Sequence, residues 1–182
     1  MQRSPCMYSK VRVAGHPIHP MVVGFPIVLF TTTIGALLAF IGTHDTFWYR
    51  AAMTASVGGV TMAVLAAIPG AIDLFSLPKG SRARAVGYRH AGFALLTVGI
   101  FAAAAAVLVH AWITKTMVDG VWNLDATVPL AIGIVGMVTL VIVGILGWTL
   151  VQTHHVGIAP AMVRADVPAQ PEDLRGTVLA RR

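Results

Sequence analysis

Charged residues are scarce in this sequence, and cysteine is nearly absent. Charged side chains make up 11% of the 182 residues and hydrophobic ones 57%, whereas soluble domains carry about 25% charged residues. This deficit excludes an ordinary soluble domain. The single cysteine, Cys6, excludes a disulfide framework and a thiolate metal site within one chain.

The low fraction of charged residues is explained by four long uncharged runs. They cover about residues 20–41, 51–77, 91–113 and 127–152, and Asp73 is the one acidic or basic residue inside them. Each run is long enough for a membrane-spanning helix, which takes about 20 residues. None shows the period-two alternation of a barrel strand. The sequence therefore predicts an all-α fold, a four-transmembrane-helix bundle over residues 1–158, followed by a polar, flexible tail over 159–182. No internal repeat is recognised.

The basic residues predict how the bundle is oriented. Of the 13 lysines and arginines, all but Arg50 and Lys115 fall on one side of the predicted bundle. Because basic residues concentrate on the cytoplasmic side of membrane proteins, both termini are predicted to be cytoplasmic. The net charge of +6 follows the loops, so the bilayer, and not nucleic acid, is the expected partner.

Histidines gather on the same basic side. Five of the seven are predicted there: His16, His19, His90, His154 and His155. In the motif HPIHP, His16 and His19 each precede a proline, which disfavours helical geometry. Neither is predicted to be helical, and Pro20 is predicted as the first helical residue. His44 and His110 are expected at the other end of the bundle as interfacial or packing residues.

The clustered histidines are candidate cofactor ligands, because the neutral imidazole binds metals and haem iron. His19 and His90 lie at the starts of two predicted helices and are the first candidates. His154, at a predicted helix end, is the third, and His16 lies at the rim. The alternative interpretation is that these histidines only cap helices or contact lipid headgroups.

Three charged residues complete the candidate site. Arg84 and Arg89 are positioned to pair with haem propionates. Asp73 is a candidate metal ligand together with His19 and His90, since a carboxylate within a membrane span is costly and is often functional. A helix-end ion pair with the neighbouring arginine-rich loop is the other interpretation of Asp73.

Two prolines inside the runs predict kinks. Pro26 and Pro69 each remove a backbone donor in the basic half of a predicted helix. Such kinks either open a cavity there or only shape the packing of the helices.

Several motifs carry a resemblance to a known family. The block GHPIHPM followed by FPI, the pair Gly70 and Asp73, the motif RHAGF and the block ending in HHVGI resemble the bacterial membrane family called domain of unknown function 2231. The resemblance runs from Gly15 to Ile158 and implies a multi-pass protein of the bacterial inner (cytoplasmic) membrane. Many members carry histidine at the position of Gly24 and glycine at the position of His155. Members joined to Rieske-type domains indicate redox work.

Three functions remain compatible with these residues. The first is a membrane electron-transfer protein that holds b-type haem on His19 and His90. The second is a non-enzymatic accessory or structural subunit, alone, as a homo-oligomer or beside another membrane redox or transport subunit. The third is a membrane protein that binds a transition metal without porphyrin. Hydrolytic catalysis is disfavoured, because neither a serine–histidine–carboxylate pattern nor HExxH is present.

Overall fold

The protein is a bundle of membrane-length helices. The computed structural model describes residues 9–157, so the predicted tail at 159–182 lies outside the described residues. The helices are α1 (Ile18–Val22), α2 (Gly24–Thr43), α3 (Thr46–Ser76), α4 (Arg82–Thr114) and α5 (Thr127–Gln152). With α1 and α2 counted as one span, the described part has four helices long and apolar enough to cross a membrane. The predicted all-α bundle of four spans is confirmed.

Polar capping residues start two of the helices well before the apolar runs. The runs predict starts near residues 51 and 91, whereas α3 begins at Thr46 and α4 at Arg82. The Asp45 carboxylate accepts from the Phe47 amide at 2.8 Å, and the Ser81 hydroxyl accepts from the Arg84 amide at 3.1 Å. Such caps satisfy amides at a helix start that have no partner within the helix.

The first span is broken near its proline. The helical hydrogen bonding is interrupted at Val23, between α1 and α2, because Pro26 has no amide hydrogen for the carbonyl of Val22, although the backbone angles of Val23 stay helical. In contrast, α3 continues through Pro69. His19 lies inside α1, so the prediction that it is not helical was wrong. A first helical turn needs no amide partners, which is why Pro20 is tolerated directly after it.

Two short hairpins lie at opposite ends of the bundle. One joins β1 (Arg12–Val13) to β2 (His16–Pro17), and the other joins β3 (Met117–Val118) to β4 (Val121–Trp122). Both use a two-residue turn with positive φ at each position, ending in Gly15 (φ 82) and Gly120 (φ 80). Glycine adopts this geometry without strain, which favours type I′ turns. His16 is therefore extended, as predicted.

The centre of the bundle holds a pair of stacked phenylalanines. The rings of Phe30 on α2 and Phe101 on α4 are nearly parallel, at 8°, with centroids 3.9 Å apart. Each ring also fills a notch on the next helix. A Cβ at Gly59 on α3 would lie 2.6 Å from the Phe30 ring, and one at Gly136 on α5 would lie 2.6 Å from the Phe101 ring.

These contacts make the two halves of the bundle equivalent. Two buried residues of α2 recur on α4 at 71 positions later in the sequence, namely Phe30 with Phe101 and the fully buried Leu37 with Leu108. The glycine notches of α3 and α5 are 77 positions apart. The helices α2 and α3 pack along each other, as do α4 and α5. These equal offsets indicate an approximate two-fold axis between the two helix pairs, although α3 packs more closely on α4 than α2 does on α5. The sequence analysis missed this internal repeat.

A buried hydroxyl pair ties α4 to α5. The Thr97 hydroxyl lies 2.8 Å from that of Thr139, which donates to the carbonyl of Gly136, and both side chains are buried. We expect Thr97→Val to lower the free energy of unfolding in detergent by about 0.6–1.7 kcal/mol, the range measured for hydrogen bonds between membrane helices. Thr31→Val is the matched control, because Thr31 is exposed and bonds only to Ile27 of its own helix. Equal losses in both variants would contradict this role.

Candidate functional site

His19 is fixed against α3 by two contacts. Its Nδ1 lies 2.8 Å from the carbonyl oxygen of Ala66, so Nδ1 carries the proton and donates. The ring packs into a notch at Gly70, where a Cβ would lie 2.8 Å from the imidazole Cε1. A side chain at position 70 would therefore push this imidazole out of place.

His90 is fixed against α5 in the same manner. Its Nδ1 lies 3.1 Å from the carbonyl oxygen of Val143 and donates to it. A Cβ at Gly147 would lie 3.3 Å from the imidazole Cε1. The prediction placed His90 at the start of a helix, but α4 begins at Arg82, so His90 lies in its third turn.

The two imidazoles obey the same relation as the phenylalanine stack. His19 and His90 are 71 positions apart, and their notches Gly70 and Gly147 are 77 apart, the same offsets as in the core. The ring centroids are 6.3 Å apart and the ring planes are nearly perpendicular, at 89°. The histidine pair therefore lies on the approximate two-fold axis, toward the basic end of the bundle.

Both imidazoles are held in the same tautomer. Because each Nδ1 donates to a carbonyl, the proton stays on Nδ1 and Nε2 keeps its lone pair. A metal–imidazole bond is about 2.0–2.1 Å, and the ring centre lies about 1.1 Å beyond the nitrogen, so two imidazoles sharing one ion have centres about 6 Å apart. The centroids of His19 and His90 are 6.3 Å apart, and the two rings form a T-shaped edge contact.

The other predicted histidine ligands lie outside this pair. His16 is exposed, and its Nδ1 lies 3.0 Å from the carbonyl oxygen of Ala14. His154 follows the end of α5 and is half-buried. Within residues 9–157, no three histidine, cysteine, aspartate or glutamate side chains lie close enough to hold a metal ion together. The structure thus pairs His19 with His90 and brings no third ligand of these types to them.

Asp73 binds the backbone of the N-terminal segment. Its Oδ1 accepts from the amides of Lys10 at 2.7 Å and Val11 at 3.4 Å, and its Oδ2 accepts from the Ser9 hydroxyl at 2.7 Å. These contacts were not predicted. The carboxylate therefore acts as an anchor for the segment that leads to His19, and it does not join His19 and His90 in a metal site.

The two arginines that were predicted to pair with haem propionates differ in their surroundings. Arg84 donates through Nη1 to the carbonyl of Leu77 at 3.0 Å, and its other nitrogens lie 3.1 and 3.3 Å from the Tyr88 hydroxyl. It therefore fastens the end of α3 to α4. Arg89 is exposed and directly precedes His90.

Comparison with known proteins gives one match. No curated protein and no solved structure matches the chain. The family described as "Predicted membrane protein (DUF2231)" matches residues 15–160. This range includes all the membrane-spanning helices and both imidazoles of the pair. The chain accordingly belongs to the DUF2231 family of membrane proteins.

Proposed function

We propose that this membrane protein holds b-type haem between His19 and His90 and transfers electrons. One observation carries the proposal. The two imidazoles come from equivalent positions of the two helix pairs, each donates through Nδ1 to a carbonyl, and their centres are 6.3 Å apart. Ligating histidines are commonly oriented by such hydrogen bonds through the second ring nitrogen.

The number of ligands favours haem over a bare metal ion. A structural zinc site takes four protein ligands and a catalytic one takes three, whereas the described residues offer no group of three. Haem brings four nitrogen ligands of its own and needs only axial ligands from the protein. Two facing histidines are therefore enough for haem and too few for an ordinary zinc site.

The coordination that results favours electron transfer over catalysis. Two histidines fill both axial positions, so no position stays open for a substrate, as catalytic metal sites require. Four-helix bundles commonly carry cofactors on side chains of facing helices.

Spectroscopy of the purified protein tests the proposal. We expect protein from haem-replete cells to show a Soret band, and sharp α and β bands after reduction. If both histidines bind the iron, the oxidised protein should give a low-spin electron paramagnetic resonance signal. A folded, colourless protein would contradict the proposal and favour an accessory membrane subunit, whose partners would co-purify.

A further inference from the structure

The two histidines are supported by helices of very different length. His90 lies inside α4, which has 33 residues, whereas His19 lies in α1, the first five residues of its span, which meets α2 at Val23, where the helical hydrogen bonding is interrupted. A helix of five residues is not stable by itself, since isolated helices shorter than about 12 residues are marginal in water. The position of His19 therefore depends on what holds its segment in place.

One face of α3 holds this segment at two points. Ala66, Gly70 and Asp73 are spaced four and three residues apart, so they share a face of the helix. Ala66 and Gly70 contact the imidazole of His19. The carboxylate of Asp73, farther along the same face, binds residues 9–11.

A direct path of hydrogen bonds joins the two points. The Val11 amide donates to Asp73, and the Val11 carbonyl accepts from the amide of Ile18 at 3.1 Å. Ile18 is the residue before His19. The hairpin of β1 and β2 closes the loop between Val11 and Ile18, so movement at Asp73 is passed to His19 through few bonds.

The second helix pair has no counterpart of this anchor. The position on α5 that corresponds to Asp73, 77 residues later, is Leu150. His90 needs no such support because a long continuous helix carries it. Asp73 therefore lies in the half of the bundle where a short helix, α1, carries the histidine and where the two halves differ.

We propose that Asp73 is a positioning residue that keeps His19 on the axis through residues 9–11 and Ile18. The inference rests on the proposed haem site. Without the Asp73 anchor, His19 would leave its notch while His90 kept its place, so any haem that remained bound would have one histidine ligand and would be high-spin.

Substitutions in the full chain test this role. We expect Asp73→Ala to convert the low-spin spectrum into a largely high-spin one, and Asp73→Asn to restore part of the low-spin signal, because its amide oxygen still accepts from Lys10. Asp45→Ala is the matched control, since Asp45 also accepts from a backbone amide but lies at the opposite end of the bundle. It should leave the spin state unchanged.

A second readout does not depend on haem. Deuterium exchange at the histidine Cε1–H, followed by mass spectrometry, reports how exposed each imidazole is. In Asp73→Ala the exchange of His19 should rise about tenfold or more, in keeping with the loss of hydrogen bonds to a charged group, toward that of the exposed His16. The exchange of His90 should not change.

The outcomes separate the two proposals. Unchanged exchange at His19 in Asp73→Ala, or faster exchange without a change of spin state in a haem-containing protein, overturns the positioning role. A wild-type protein without haem overturns the proposed function. If deuterium exchange at His19 still depends on Asp73 in this haem-free protein, the anchoring role of Asp73 is upheld. Only the function of the positioned His19 is then reassigned.

Discussion

Replacing His90 with alanine is expected to lower the haem content of the purified protein by about tenfold or more, since loss of even an outer-shell partner costs 10–100-fold in metal affinity. The alanine removes one of the two axial ligands and leaves a gap against Gly147, where the imidazole now packs. The haem-to-protein ratio, measured from the pyridine haemochrome and the protein concentration, gives the result. His110→Ala is the control on the same helix, because His110 is exposed near its other end.

His19→Ala should cause a loss of the same order, and the double variant should be no worse than either single one. Ligands of one ion act as a unit, so their effects are not additive. His16→Ala should retain haem, because His16 is exposed and its ring nitrogen contacts only the nearby Ala14 carbonyl. Full haem content in His90→Ala and His19→Ala would exclude this pair as the ligands even if the protein is red.

The second large effect is expected at the glycine notches of the core. Gly136→Ala places a Cβ 2.6 Å from the Phe101 ring, and the stacked Phe30 leaves that ring no room to move. Overpacking of this kind costs about 1–3 kcal/mol. The variant should therefore melt at a lower temperature in detergent, measured as loss of the monodisperse peak after heating.

Gly144→Ala is the control for helix propensity. It lies on the same helix with no atom within 4 Å of a Cβ, so the variant should be as stable as the wild type or more stable, by up to about 1 kcal/mol. A Cβ at Gly59 would lie at the same distance, 2.6 Å, from the Phe30 ring. Gly59→Ala should therefore lower the melting temperature as Gly136→Ala does. Opposite changes in stability for Gly59→Ala and Gly136→Ala would contradict the equivalence of the helix pairs.

The helices were predictable because a bilayer imposes their length and composition. The run at 127–152 coincides with α5 because Asp125, whose carboxylate accepts from the Thr127 amide, lies just before the run. The starts of α3 and α4 were missed because charged residues, Arg50 in α3 and Arg89 in α4, end the uncharged runs, while Asp45 and Ser81 hold the first amides farther back. An uncharged run indicates which part of a helix lies in lipid. The helix itself continues past the lipid wherever a side chain caps its amides.

The candidate site was predictable only in part. His19 and His90 were chosen as the main pair because antiparallel spans bring their ends together, and the structure places their rings next to each other. The roles of Asp73 and Arg84 were missed because both bind backbone groups, of residues 9–11 and of Leu77. Every residue offers such groups, so sequence patterns hold no signal for which of them a side chain will meet.

The stack of Phe30 on Phe101 also bears on the ancestry of the fold. Gene duplication and fusion of a two-helix protein would leave this arrangement, with a shared ring pair and a shared imidazole pair on one axis. The unfused ancestor would then have been a homodimer whose site needed one histidine from each subunit. Fusion allows the halves to diverge, as they have at Asp73 and Leu150. One half can then gain an anchoring contact that a symmetric dimer would have to carry twice.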